Sequence, residues 1–261
     1  MTGTILQTTR YVTPLREGSS LPAIVEADDG NMYVMKFAGA GQGPKALIAE
    51  LIAGEIARLL GLRVPEIAIL NLDATLGPSE PDPEIFDLLR ASTGLNLGLR
   101  YLPGAFAFTP VLRPPPDAAL ASSIVWFDAL VTNVDRTVKN VNLLLWEGGL
   151  WLIDHGSSLY VHHDWKNYEE RSATPFPHVK DHVLLPFAGS LQEADASLRH
   201  VVSPDHIRHI VAMIPDQWLA APSPFAGVRE HRAAYETMMQ RRLDAAPQFV
   251  QEAMNARARI V

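Results

Sequence analysis

The sequence predicts a two-lobed α+β fold, in which a small β-rich amino-terminal lobe carries one main helix and the carboxy-terminal lobe is mostly helical. Short β-like runs dominate residues 1–102, whereas helical patterns dominate residues 103–261. A proline-rich segment at residues 103–116 separates the two halves and is the expected crossover between them. Polar motifs just beyond the crossover predict that the lobes surround a functional site.

The amino-terminal half begins with apolar runs at residues 5–15, 21–27 and 31–37, which predict a small antiparallel sheet. A helix is predicted over residues 44–61, because apolar residues recur at helical spacing, a proline lies in the first turn and a glycine follows the last. The pattern then predicts a strand at 64–70, a short helix near 85–90 and an extended segment at 97–102.

The carboxy-terminal half is predicted to contain a helix over residues 118–132, followed by a β-hairpin built from the apolar runs on either side of residues 147–149. Further helices are predicted at 205–213 and 228–257, the second broken or kinked at Pro247.

Composition limits the classes of partner. With 261 residues and 48% hydrophobic residues, the chain can bury a large core. A formal net charge of −7 gives no global basic field for nucleic acid or an anionic membrane. There are no cysteines, no amino-terminal leader pattern and no uninterrupted run of eighteen apolar residues. We therefore expect a cytoplasmic protein that binds neither nucleic acid nor membranes directly.

Two polar motifs predict a metal site at one end of the hairpin. The first contains Asp135 and Asn140, and the second contains Asp154, fourteen positions after the asparagine. If the turn is centred near Glu147, Asn140 lies opposite Asp154, with Cβ atoms about 5 Å apart. An amide oxygen and a carboxylate at that separation can share Mg²⁺ ions.

Asp135 lies on the loop that leads into the hairpin, beside the predicted metal ligands. A carboxylate in that position can accept the proton of an attacking hydroxyl while metal ions neutralise phosphate charge. The pattern therefore predicts phosphoryl transfer from ATP, with Mg²⁺ held by Asn140 and Asp154 and with Asp135 as the base.

A phosphoryl-transfer site also needs a cation for the nucleotide phosphates. Lys36 lies within an apolar strand and is the candidate. Glu50 and Glu55, on the following helix, could each pair with it. Helical projection places Glu55 within the apolar stripe, where a carboxylate needs a partner, and this burial argument favours Glu55. In the first turn, Ser19 and Ser20 follow Gly18 and could cover the phosphates, and a plain turn without contact to phosphate is the alternative.

These residues resemble the HipA-like kinases, a branch related to the phosphatidylinositol kinases, over roughly residues 18–190. The resemblance implies a protein-kinase-like fold that binds ATP and Mg²⁺ and transfers the γ-phosphoryl group to a protein serine or threonine. It also implies roles for five residues and one segment. Lys36 and Glu50 would position ATP, Asp135 would be the catalytic carboxylate, and Asn140 and Asp154 would bind Mg²⁺. The segment from Arg100 to Leu102 would lie near the adenine.

Two alternatives remain open at this stage. A small-molecule kinase similar to the aminoglycoside phosphotransferases would also have asparagine five positions after the catalytic aspartate. A pseudokinase or regulatory nucleotide-binding module is the second alternative, because Thr137 stands where HipA toxins and phosphatidylinositol kinases commonly have histidine. The acceptor is therefore an unidentified protein or small molecule.

Overall fold

The computed structural model describes residues 5–15, 21–76, 82–111 and 114–261. Within these residues, the first half forms a barrel of five strands and the second half is mainly helical. The eight strands of the described residues are β1 (Ile5–Pro14), β2 (Ala23–Ala27), β3 (Met32–Lys36), β4 (Ile67–Leu72), β5 (Gly94–Arg100), β6 (Phe106–Ala107), β7 (Leu143–Trp146) and β8 (Gly149–Leu152).

The barrel has the strand order β1-β2-β3-β5-β4. Neighbouring strands pair antiparallel except β1 and β4, whose parallel pairing from Ile5 and Ile69 closes the ring. Alternate residues of β2 and β3 point inward, so that Val25, Tyr33 and Met35 are buried in a core separate from the main one. The predicted antiparallel sheet is therefore present, but it curves until its edge strands meet.

Nine α-helices are found in the described residues, and 3-10 turns join several of them. They are α1 (Gly43–Leu59), α2 (Pro83–Ala91), α3 (Ala118–Leu130), α4 (Tyr168–Ser172), α5 (Leu191–Leu198), α6 (Pro204–Ala212), α7 (Asp216–Leu219), α8 (Val228–Asp244) and α9 (Ala246–Arg257). None of the described helices is both long and apolar enough to cross a membrane.

Helix α1 joins the two halves of the molecule. Its buried face, including Leu47 and Ile52, belongs to the same hydrophobic core as the carboxy-terminal helices. It packs against α6 and α7 as well as against β4 and β5. Trp218 on α7 donates its indole N–H to the carbonyl of Leu95 at 2.9 Å and thereby ties the helical half to β5. The main hydrophobic core therefore extends across both predicted lobes, while the interior of the barrel has its own smaller core.

Several predicted boundaries shift in the structure. The predicted strand at 64–70 begins at Ile67, and β5 runs from Gly94 to Arg100 instead of over 97–102. The crossover segment contains the short strand β6, which pairs with β7. The long carboxy-terminal helix is two helices, α8 and α9, because Pro247 occupies the first turn of α9. Helices α4, α5 and α7 were not predicted, since each has eight residues or fewer and a weak periodic signal.

Candidate active site

Lys36 at the end of β3 connects the barrel to the polar motifs of the helical half. Its ammonium group lies 2.7 Å from Glu50 Oε2 on α1 and 2.5 Å from Asp154 Oδ1 beyond β8. Burial alone disfavours the charged lysine, but the Glu50 and Asp154 carboxylates outweigh this effect and raise the pKa of Lys36 above its usual range. Lys36 is therefore a cation that two carboxylates hold at the boundary between the halves.

Glu50, and not Glu55, is the partner of Lys36. Glu50 is fully buried, and although burial would raise its pKa, Lys36 and His155 lower it below the usual range. Glu55 is 18% exposed and contacts Arg58 on its own helix at 3.5 Å. The burial argument from helical projection was therefore wrong. Every residue of α1 from Leu47 to Gly54 is buried, so the apolar stripe does not mark the only buried face of this helix.

The residues after Asp154 pack directly on α1. His155 is buried, and its Nδ1 lies 3.4 Å from Glu50 Oε1. A Cβ atom on Gly156 would be 3.6 Å from Ala46 Cβ and 3.6 Å from Glu50 Oε2, so the backbone approaches the helix closely there. The position of Asp154 is therefore linked to the position of α1 through Lys36 and through the buried histidine.

Asp135 lies on the loop between α3 and the hairpin and is partly exposed. Its Oδ2 accepts hydrogen bonds from Asn140 Nδ2 at 2.7 Å and from Asn142 Nδ2 at 3.5 Å. The pKa of Asp135 is raised, first by burial and then by the negative charge of Asp154, despite these two amide donors. Asn142 was not among the predicted site residues. It is a second asparagine only two positions after Asn140, and this closeness in the sequence could have indicated it.

The donor groups fit a divalent cation of the magnesium type. An ionised carboxylate can only accept hydrogen bonds, so Asn140 turns its amide nitrogen toward Asp135, and its Oδ1 is the atom that would bind a cation. Asp154 has a half-exposed side chain and a φ of 57°, a left-handed conformation that aspartate adopts more readily than most residues. Mg²⁺ commonly needs only one or two protein ligands beside phosphates and waters. The described residues contain no cluster of three or more histidine, cysteine, aspartate or glutamate side chains that could hold a metal ion.

The predicted hairpin register was wrong by one residue. Leu143 pairs with Leu152 and Trp146 pairs with Gly149, which leaves a two-residue turn at Glu147 and Gly148. These turn residues have φ values of 47° and 69°, as the type I′ turn of a tight hairpin requires.

The shifted register moves Asn140 out of direct opposition to Asp154. The last cross-strand bond joins the Ile153 N–H to the Asn142 carbonyl at 3.2 Å, so Asn142 and not Asn140 ends the hairpin ladder. Asn140 instead reaches the site from the loop, through its contact with Asp135.

Of the remaining residues predicted to contact the nucleotide, the structure describes Arg100 and Leu102 but not the two serines. Ser19 and Ser20 lie outside the described residues. Arg100 ends β5, with its guanidinium 5.8 Å from the centre of the Tyr33 ring, and Leu102 is buried where the chain turns into the helical half. Arg100 and Leu102 are therefore at the connection between the halves, as the hinge prediction requires, and their contact with adenine remains a prediction.

Comparison with known proteins assigns this arrangement to a family. The family model for HipA-like kinases matches residues 9–249. No curated protein sequence matches the chain.

One solved structure shows the same fold. The proinflammatory kinase CtkA of Helicobacter pylori matches with a TM-score of 0.58 at 12% sequence identity, covering 99% of this chain and 100% of that one. The Golgi casein kinase with manganese and ADP bound matches with a TM-score of 0.48 at 12% identity, covering 95% of this chain and 72% of that one.

Proposed function

The chain belongs to the HipA-like kinase family, and on this premise we propose that it binds ATP and Mg²⁺ between its two halves and transfers the γ-phosphoryl group to a hydroxyl. One observation carries the proposal. Lys36 contacts both Glu50 and Asp154, and Asp154 in turn is close enough to Asp135 for its charge to raise the pKa of Asp135. Phosphoryl transfer depends mainly on such positioning and on charge stabilisation.

Each charged group has a separate part in the proposed reaction. Lys36 would contact phosphate oxygens of ATP while Glu50 keeps its ammonium group in place. Asn140 and Asp154 would hold Mg²⁺, which neutralises phosphate charge when it is bound. Asp135 would accept the proton of the attacking hydroxyl. Its raised pKa favours this role, because a more basic carboxylate takes a proton more readily.

The proposed acceptor is a protein serine or threonine hydroxyl. Family membership supports this choice. Transfer of labelled phosphate to proteins, compared with transfer to metabolites that carry hydroxyl groups, separates the two acceptor classes.

The nucleotide site can be tested by thermal stabilisation. A ligand that binds the native state raises its melting temperature. ATP with Mg²⁺ should stabilise the wild type more than ATP alone, and Asp154→Ala should lose the metal-dependent part. Asp154 is half exposed, so this variant should fold. A metal-dependent shift of equal size in Asp154→Ala would remove Asp154 as a ligand.

Stabilisation without any phosphoryl transfer would instead favour the pseudokinase alternative. That outcome would keep the nucleotide site but remove the proposed reaction. Absence of stabilisation by ATP in the wild type, with or without Mg²⁺, would contradict the proposal as a whole.

A further inference from the structure

We propose that a buried network centred on Asp128, with Arg136 and His182 as its partners, is the positioning element that fixes Asp135 relative to Asp154. Asp128 is on α3, and His182 follows Asp154 by twenty-eight positions, so both lie outside the two polar motifs. The inference rests on the proposed function, because it assigns these residues to the geometry of the same site.

Asp128 is fully buried and receives hydrogen bonds on both carboxylate oxygens. Its Oδ2 accepts from Arg136 Nε at 2.6 Å and from His182 Nε2 at 2.8 Å. Its Oδ1 accepts from Asn133 Nδ2 at 2.9 Å. Asn133 in turn accepts the backbone N–H of Asp135 through its Oδ1 at 3.1 Å. A chain of two hydrogen bonds therefore runs from Asp128 to the backbone of the proposed base.

Arg136 extends the network to the hairpin. Its Nη1 donates to the backbone carbonyl of Asn142 and, at 3.4 Å, to that of Ile153. These carbonyls belong to the two chain segments at the open end of the hairpin, and Ile153 directly precedes Asp154. The guanidinium is planar and rigid, so one side chain sets the spacing between the Asp135 loop and the metal-binding segment.

His182 holds the network from a third segment. Its Nδ1 accepts the N–H of Leu184 at 3.0 Å, so the proton must be on Nε2, which donates to Asp128. The backbone of His182 forms a β-bridge with Thr137, and Val183 N–H donates to the Arg136 carbonyl at 3.1 Å. The segment around His182 therefore restrains the loop that carries Asp135 through backbone contacts.

Stability alone does not account for such a network. A buried ion pair pays a desolvation penalty that often cancels its attraction, and apolar residues of similar volume can be equally stable. The side chains of Asp128, Arg136 and His182 are all buried from solvent. The hydrogen bonds of the network end on the backbone of the Asp135 loop and of the hairpin, which supports a positioning role.

The decisive variant is Arg136→Lys, with Arg242→Lys as its matched control. Lysine keeps the charge but cannot reach Asp128 and both carbonyls with one planar group. Arg242 is also buried, and it donates to the carbonyls of Ala129, Leu130, Ser172 and Thr174 but to neither polar motif. Both variants should lower the melting temperature, so the control separates loss of stability from loss of site geometry.

We expect Arg136→Lys to lower kcat about a hundredfold, the effect of moving reacting groups by roughly 1 Å. Arg242→Lys should keep kcat within about threefold of wild type, well under that hundredfold loss. A folded Arg136→Lys protein with wild-type kcat would overturn the inference, and so would an equal loss in both variants.

A second readout does not depend on turnover. Amide hydrogen exchange of Asp135, Ile153 and Val183 should be faster in Arg136→Lys than in Arg242→Lys, compared at equal global stability. If the wild type proves to have no phosphoryl transfer, the proposed function fails, yet the exchange comparison still decides the positioning role. Equal exchange in the two variants would refute it.

His182→Asn keeps the inference testable if Arg136→Lys does not fold. This variant leaves Asp128 paired with Arg136 and Asn133, so the protein should fold. It should lower kcat while the affinity for MgATP stays near the wild-type value. A change in MgATP affinity with an unchanged kcat would contradict the assigned role.

Discussion

Removing Lys36 should destabilise the protein more than removing the charge of Glu50, because Lys36 keeps a second charged partner when Glu50 is lost, whereas Glu50 does not when Lys36 is lost. Lys36 contacts two carboxylates, at 2.7 Å and 2.5 Å, whereas Glu50 contacts Lys36 at 2.7 Å and has His155 Nδ1 farther away, at 3.4 Å. Lys36→Met leaves a buried carboxylate uncompensated, which costs about 3–5 kcal/mol. Glu50→Gln leaves Lys36 with Asp154 and should cost about 1.5–3 kcal/mol, the value of a hydrogen bond to a charged group.

The assay is urea unfolding without nucleotide, and Glu55→Gln is the control. Glu55 is on the same helix but in a partly exposed pair, so its free energy of unfolding should change by about 1 kcal/mol or less. An equal or larger loss for Glu50→Gln than for Lys36→Met would refute the unequal pairing.

The pH dependence gives a second test of the same pair. The pKa of Glu50 is lowered in the folded protein, so its stabilising effect is complete above the unfolded value of about 4.3 and is lost as the pH falls through the folded value. In Lys36→Met, burial without the cation should raise the pKa of Glu50, so this variant should lose less stability on acidification than the wild type. A stability difference between the two proteins that widens below pH 5 would contradict this account.

Two further predictions concern the loop and the hairpin. Because the pKa of Asp135 is raised by burial and by Asp154, activity should fall as the pH drops through a value above the ordinary 3.9 or so of aspartate. The pH profile of kcat/KM reports the free enzyme, and that of kcat reports the complex, in which bound Mg²⁺ would offset the Asp154 charge. The fall in activity at low pH should therefore occur at a higher pH for kcat/KM than for kcat. The reverse order would contradict the effect of Asp154 on the pKa of Asp135. Gly148→Ala should lower the free energy of unfolding by about 1–2 kcal/mol, because its φ of 69° penalises any side chain. Turnover should be unchanged, since a Cβ at Gly148 meets no atom within 4 Å, and a large loss of turnover would show that the turn contributes to the site.

The long helices and the hairpin were accessible from the sequence because they follow local periodicity, whereas the closure of the barrel and the short helices α4, α5 and α7 were not. The long helix α1, the broken carboxy-terminal helix and the hairpin all have clear apolar patterns with glycine or proline at their ends. The hairpin register was not accessible to the same degree, because Glu147 had to adopt a positive φ in a two-residue turn. A glutamate gives little local indication of that conformation, and a slip of one residue moved Asn140 away from Asp154.

The candidate site was only partly predictable for a related reason. Helical projection chose Glu55 over Glu50, since it cannot show that α1 is covered on two sides by distant segments. Asp128 gave a usable signal, because a lone carboxylate in the apolar helix α3 needs a buried partner. His182 gave none, since its contact with Asp128 joins residues that are fifty-four positions apart.

The most direct test of the central claim is transfer of labelled phosphate from γ-labelled ATP, measured with Mg²⁺ for the wild type and for Asp135→Asn. Asparagine keeps the shape of the side chain but cannot accept the hydroxyl proton. The account predicts transfer by the wild type and a loss of about a hundredfold or more in the variant, with MgATP affinity retained. Unchanged transfer by Asp135→Asn would contradict the assignment of Asp135 as the base, and MgATP binding by a wild type that transfers no phosphate would identify a pseudokinase.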